Sequence, residues 1–230
     1  MSDDGVWIAL PTCNLSRART TADAWKAQGY RVAAITEQMP CFGASLHVWR
    51  EGYVGYWRSC NVLARAIAAI ENHSSREVIV FAADDLRPDP DRKANEIRNE
   101  FLSRFPDGFG VMQPTGDDLD GTDRICGSPW VGYEFMRRVY GGRGPYCEDY
   151  FHFYGDEHLL EVARRLGCLW QRPDLTQRHL HWTRKGEERR LDYQAANSAR
   201  YWDADKKAYE ENKKKGFVEE CSPLLQLRHC

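Results

Sequence analysis

Three short apolar runs constrain the fold of this chain more than any other feature: VWIAL at 6–10, RVAAIT at 31–36 and VIVFA at 78–82. A run that is apolar at nearly every position is buried on both faces, as a strand in a helix-covered parallel sheet is. Segments with helical character separate these runs. Residues 20–28 read as a helix, with Thr20 or Thr21 as cap and Gly29 as stop, and residues 56–72 carry Val62, Leu63, Ala66, Ile67 and Ile70 at helical spacing. Strand, helix and strand within about 30 residues imply a parallel pair joined by a right-handed crossover. The pattern continues with an amphipathic helix at 92–105 and a strand at 110–113. A helix at 128–140 is expected to end at Gly141-Gly142, and one at 158–166 at Gly167. Residues 169–180 read as mixed strand and loop around Pro173, and the chain is polar and helical from Arg184 onward. The expected class is α/β.

Composition narrows the setting. At about 150 residues per domain, 230 residues make one large domain with an appendage. Mean hydropathy is -0.66, and no apolar run approaches the roughly 18 residues that a membrane span requires. The acidic start, MSDDGVWIALP, runs straight into the first strand, so no secretory leader is expected and a cytoplasmic setting is. The 8 cysteines are scattered without a C-x-x-C pair, which reads as reduced, mostly buried thiols. Charge is nearly balanced, 32 basic against 34 acidic residues, which argues against a dedicated nucleic-acid coat. The Lys213-Lys214-Lys215 run reads as a solvated helix end.

The segment carrying most chemistry is VIVFAADDLRPDPD at 78–91. An apolar strand there delivers adjacent carboxylates, Asp84 and Asp85, into a proline-broken loop, and the carboxyl ends of strands are where open α/β sheets bind ligands. Two such carboxylates repel each other unless a cation stands between them, and their oxygens suit hard divalent ions that bridge to phosphate. The same residues would equally make a capped turn.

Around this segment stand Pro11-Thr12 with Asn14 and Arg17 after the first strand, then GSPWVGYEFMRRV, a G-D-E at a helix start and an H-x-H at His179 and His181. That order resembles the GT-A glycosyltransferases, especially the inverting, family-2-like group and its small phage and bacterial members. The usual D-x-D appears here as Ala83-Asp84-Asp85. The resemblance implies a Rossmann-like mixed sheet flanked by helices. Residues 1–183 would be the catalytic domain, with a nucleotide-sugar half over about 1–115 and an acceptor half over about 116–183. A helical extension at 184–230 would act as an arm or lid and could mediate homodimerisation. The activity implied is metal-dependent transfer of a sugar from a nucleoside diphosphate sugar, a UDP-sugar favoured, to an acceptor hydroxyl with inversion.

Residue by residue, the resemblance implies that Pro11, Thr12 and Asn14 line the base and ribose pocket, with Arg17 near the phosphates and Glu37 holding the nucleoside. Asp84 would accept from ribose or sugar hydroxyls, and Asp85 would hold the metal with His179 or His181. Residues two apart on a strand face the same way, and a nitrogen ligand tilts the choice toward Mn²⁺ over Mg²⁺. Asp156, at the entry to the 158–166 helix, is the candidate base, with an N-cap as the alternative. Glu157 would hold the acceptor or exchange roles with it. Trp130, in a glycine-proline loop, and Tyr154 are the candidate acceptor-binding aromatics. The acceptor would be a glycan or, for a phage protein, a hydroxyl-bearing DNA base. DNA would call on a cationic patch from Arg137, Arg138, Arg143, Arg189, Arg190 and the lysine run. The competing readings are a non-catalytic binding module that keeps the fold, and a nucleotidyltransferase, which would want a glycine-rich loop where PTCNLSRAR has none.

Overall fold

The computed structural model describes residues 5–37, 43–72, 74, 76–184 and 198–217. Its centre is a seven-stranded mixed sheet. The strands are β1 (Val6–Pro11), β2 (Tyr30–Thr36), β3 (Leu46–Trp49), β4 (Val78–Phe81), β6 (Val111–Pro114), β7 (Trp130–Gly132) and β8 (Leu169–Arg172). Their order is β3-β2-β1-β4-β7-β6-β8, and among the described strands of this sheet β7 alone runs antiparallel to its neighbours. A separate ladder pairs β5 (Leu86–Arg87) with β9 (Arg178–His179). The helices are α1 (Leu15–Ala27), α2 (Tyr56–Ile70), α3 (Ala94–Arg104), α4 (Tyr133–Val139), α5 (Gly155–Arg165) and α6 (Ala199–Lys214). This is the mixed, helix-flanked sheet expected. Among the described residues no helix is long and apolar enough to cross a membrane.

The apolar runs form strands because the sheet is covered on both faces. In β1, Val6, Ile8 and Leu10 enter the core beneath α1 and α3, while Trp7 and Ala9 enter the opposite core with Leu63 and Ile67 of α2 and Leu159 of α5. Alternation of side chains along a strand thus needs apolar residues at every position.

Three local expectations are corrected. Helix α1 starts at Leu15, five residues earlier than expected, because the Asn14 side chain accepts from the Arg17 amide and supplies the cap. Strand β3, a half-exposed edge strand, was not anticipated. The helix expected over 128–140 is a strand followed by a short helix. Trp130 and Val131 pair with both β4 and β6, and a Cβ on Gly132 would collide with the Gly108 carbonyl, so the backbones approach as only glycine allows.

Beyond Arg184, residues 185–197 lie outside the described part, and with them Arg189 and Arg190 of the expected cationic patch. Helix α6 is present and ends in an exposed lysine run, Lys213 to Lys215. It packs on the segment 151–154. Asp205, only 2% exposed, accepts hydrogen bonds from the amides of Phe151, His152 and Phe153, each at 2.8 Å.

Candidate active site

The site follows from the topology. From β1 the chain winds through β2 to β3 on one side, then crosses to β4 on the other, so the order reverses between β1 and β4. The carboxyl ends flanking such a reversal open into a crevice. Here β1 delivers Thr12 and α1 delivers Arg17, while β4 delivers Asp84 and Asp85.

Asp84 is 5% exposed and tied to the first strand and helix. Its Oδ2 accepts from the Thr12 hydroxyl at 2.5 Å, and its Oδ1 pairs with Arg17 Nε at 2.6 Å. Burial raises its pKa above the ordinary value against the pull of Arg17 and Thr12. The Asp84 carbonyl accepts from the Thr21 hydroxyl. Asp84 is thus clamped by Thr12 and Arg17, a contact not anticipated from the sequence, where the expected partners are ribose or sugar hydroxyls for Asp84 and the phosphates for Arg17.

Asp85 differs. Its Oδ2 lies 3.3 Å from His179 Nε2, while its buried Oδ1 has no hydrogen-bond partner among the described residues. Burial opposes its ionisation, yet the hydrogen bond and charge of His179, with Arg17 beyond, hold its pKa below the ordinary value. The β5–β9 ladder creates this contact by pairing Leu86 with His179, and Leu180 donates to the Asp85 carbonyl at 2.8 Å. The His179 amide donates to Asp117, whose other oxygen pairs with Arg184.

His181 stands beside His179 and within reach of the Asp85 charge: burial and the His179 ring lower its pKa, and Asp85 opposes them. Strand β9 ends at His179, so the two histidines do not share a strand face. The His181 ring meets the His179 ring edge-on at 5.1 Å, and its Nδ1 bonds the Thr183 hydroxyl at 2.8 Å. Among the described residues no group of three or more His, Cys, Asp and Glu side chains converges as a metal cage. The donor set present is a carboxylate with an orphaned oxygen and an imidazole. That set suits a hard divalent ion completed by phosphate oxygens and water, since Mg²⁺-type ions need only one or two protein carboxylates.

Two cavities, of about 370 and 340 Å³, share Tyr56, Ala83, Asp85 and His152. The first takes in Pro11, Thr12, Arg17, Glu37, Arg50 and Tyr53. Glu37 stands at its exposed edge after β2, its pKa raised by burial. Asn14 lines neither cavity, since its side chain is spent on the α1 cap.

The second cavity contains Asp156, Glu157, Tyr154, His179 and Trp202. Asp156 sits in the first turn of α5 and is not its N-cap, which is Tyr154 in a left-handed conformation at φ 64°. Burial, and then the neighbouring Glu157, push the Asp156 carboxyl up to about 6. Burial also raises Glu157, against a hydrogen bond from Tyr209 of α6. Trp130 corrects the expectation outright. It is wholly buried on β7, packs edge-on to Tyr30 at 5.7 Å, and donates to Gln177 at 2.7 Å, so it offers no surface to an acceptor.

No family model matches this chain, and no curated protein does. Among solved structures, one similar to it is a glycosyltransferase involved in the glycosylation of the major capsid of PBCV-1. Identity is 14% and the TM-score 0.48, over 80% of this chain and 96% of the other. A likeness of that size assigns no role to any residue here.

Several lining residues carry no signal in the sequence. Arg50 follows the unanticipated edge strand, and Tyr53 and Tyr56 precede and open an ordinary core helix. His152 sits amid an aromatic stretch that reads as core, yet lines both cavities, its pKa lowered by burial against the pull of Asp205. Tyr201 and Trp202 come from α6, one to each cavity, and nothing local marks them.

Proposed function

We propose that this protein is a GT-A-type glycosyltransferase that moves a sugar from a nucleoside diphosphate sugar, a UDP-sugar favoured, to an acceptor hydroxyl with inversion. The observation carrying this reading is the pair of cavities joined at Asp85, with Asp85 between a nucleotide-sized chamber and a chamber holding Asp156. The first chamber offers Arg17, Arg50 and the rings of Tyr53 and Tyr56 to a nucleotide, with Glu37 at the edge for its hydroxyls. The ordered motifs of the sequence support the same assignment.

Asp85, through its orphaned Oδ1, and His179 would hold a divalent ion, Mn²⁺ over Mg²⁺ because of the nitrogen donor. When bound, such an ion supplies Lewis-acid stabilisation of the departing diphosphate. Asp156 accepts the proton from the acceptor hydroxyl while that oxygen forms its bond to the anomeric carbon and the bond to diphosphate breaks. Glu157 raises the basicity of Asp156 by repulsion and accepts from acceptor hydroxyls. With one base on the attacking side and no second nucleophile assigned, a single displacement inverts the anomeric centre. General-base assistance of this kind contributes about 10²–10⁴-fold.

The acceptor chamber bears Asp85, Asp117, Asp120, Asp156 and Glu157, and its described lining includes no lysine or arginine. That charge favours a glycan over DNA, whose phosphates would want cations. The test is thermal shift with UDP and GDP, with and without Mn²⁺, followed by hydrolysis and transfer assays. Metal-dependent stabilisation by a nucleotide, lost in Asp85→Asn, is expected; none with any common nucleotide refutes the reading. A binding module would show no turnover before or after Asp156→Asn.

A further inference from the structure

Helix α6 belongs to the segment least legible in the sequence, yet its Trp202 stands in the acceptor chamber. We propose that the exposed face of Trp202 is the surface on which one ring of a neutral saccharide acceptor stacks, which makes α6 part of the acceptor site. This inference rests on the glycosyl-transfer reading above.

Trp202 is 44% exposed although two rings brace it. Phe153 meets it edge-on at 4.9 Å and 76°, and Tyr154 lies against it at 5.1 Å and 48°. A large apolar ring fixed on its inner side and open toward a cavity loses little side-chain freedom when a ligand covers it. The bracing is itself anchored. Three residues further along α6, Asp205 binds three consecutive amides of the segment carrying Phe153, and Tyr201 stacks on Phe151 at 3.9 Å and 13°. The position of Trp202 in the chamber that Asp156 and Glu157 also line is therefore held by hydrogen bonds to backbone.

The chemistry around the ring selects the ligand. A pyranose presents a C–H face that packs on an indole and an equatorial rim of hydroxyl donors that carboxylates accept. Asp156, Glu157 and Asp120 line the same chamber. Phosphate or uronate groups beside Asp120, Asp156 and Glu157 would meet carboxylates, with no lysine or arginine in the described lining to offset them. A neutral sugar satisfies both the ring and the rim.

The test uses the full chain without nucleotide and titrates neutral hexasaccharides of glucose, mannose and N-acetylglucosamine, and oligogalacturonate as the anionic probe, by calorimetry and NMR. At least one neutral oligosaccharide is expected to bind. Trp202→Phe should retain its affinity within about threefold, and Trp202→Ala should lose about tenfold or more, as truncation of an aromatic anchor does. Trp49→Ala, which removes an exposed tryptophan on the edge strand β3, should change nothing. Equal binding by Trp202→Ala, preference for the anionic probe, or binding by no member of the panel overturns the inference. The nucleotide and Mn²⁺ thermal shift is run in parallel. A shift without saccharide binding refutes Trp202 as the stacking surface and leaves the transferase reading standing. Saccharide binding through Trp202 without a shift does the reverse.

Discussion

Asp156→Asn should cost activity and yet stabilise the fold, and the two effects should separate with pH. The folded protein holds this carboxyl at about 6 against an ordinary value of 3.8, because burial and Glu157 both penalise the charge. A shift of about two units corresponds to about 3 kcal/mol between the protonation states, and less where water reaches the group. The native pKa lies above the unfolded one, so the native state binds more protons between the two values. The contribution of this group to wild-type stability is accordingly full below about pH 4, is lost as pH rises to about 6, and is level above that. Asparagine carries no charge to penalise. The stability difference between Asp156→Asn and wild type should therefore shift in favour of the variant by about 2–3 kcal/mol between pH 3.5 and pH 8. Urea unfolding at the two pH values reads that shift directly. Over the same range wild-type kcat/KM should rise with a midpoint near 6, because only the ionised group accepts a proton, and the variant should lose about 10²–10⁴-fold at pH 8. A stability difference that does not change with pH would show that the half-buried Asp156 is not desolvated enough to shift its titration. Full activity in the variant would remove it from the role of base.

Asp85→Asn should abolish Mn²⁺-dependent stabilisation by nucleotide, which for the wild type at a hundredfold excess over Kd is worth about 2.7 kcal/mol; differential scanning fluorimetry checks this. Trp130→Ala should destabilise the protein by about 3–5 kcal/mol through a core cavity and an unpaired Gln177, as read from denaturant midpoints. At permissive temperature it should leave the acceptor KM unchanged, opposite to the loop reading of that residue. Asp205→Ala should unfasten three amides and lower the melting temperature, while Asp205→Asn, which retains one acceptor oxygen, should lose less. A gel shift with duplex DNA should show no retention at physiological salt, and retention that weakens steeply with salt would restore DNA as a candidate acceptor.

How far the sequence could be read depended on whether each cause was local. The runs at 6–10, 31–36 and 78–82 became β1, β2 and β4 because burial on both faces leaves its mark at every position. The stretch 128–140 misled because an aromatic-rich GSPWVGYEFMRR has no short-range feature separating a three-residue central strand from helix. Its outcome depends on Gly108, β4 and β6, which lie elsewhere in the chain. The start of α1 was misplaced for the opposite reason, since Asn14 is an ordinary local cap that Thr20 and Thr21 obscured.

For the site the division is similar. By itself the sequence determined that adjacent carboxylates leave the end of a central strand, that Thr12 and Arg17 follow another, and that Asp156 and Glu157 open a helix. Those are properties of short segments. Only the tertiary structure decided which carboxylate is spent: the chain reversal between β1 and β4 brings Thr12 and Arg17 onto Asp84 and leaves Asp85 with His179 and one oxygen unpartnered among the described residues. It also decided that Trp130 is core while Trp202, from a polar helix, reaches the chamber. A side chain's neighbours across 50 or more residues are set by sheet order and helix packing, and no local pattern encodes them.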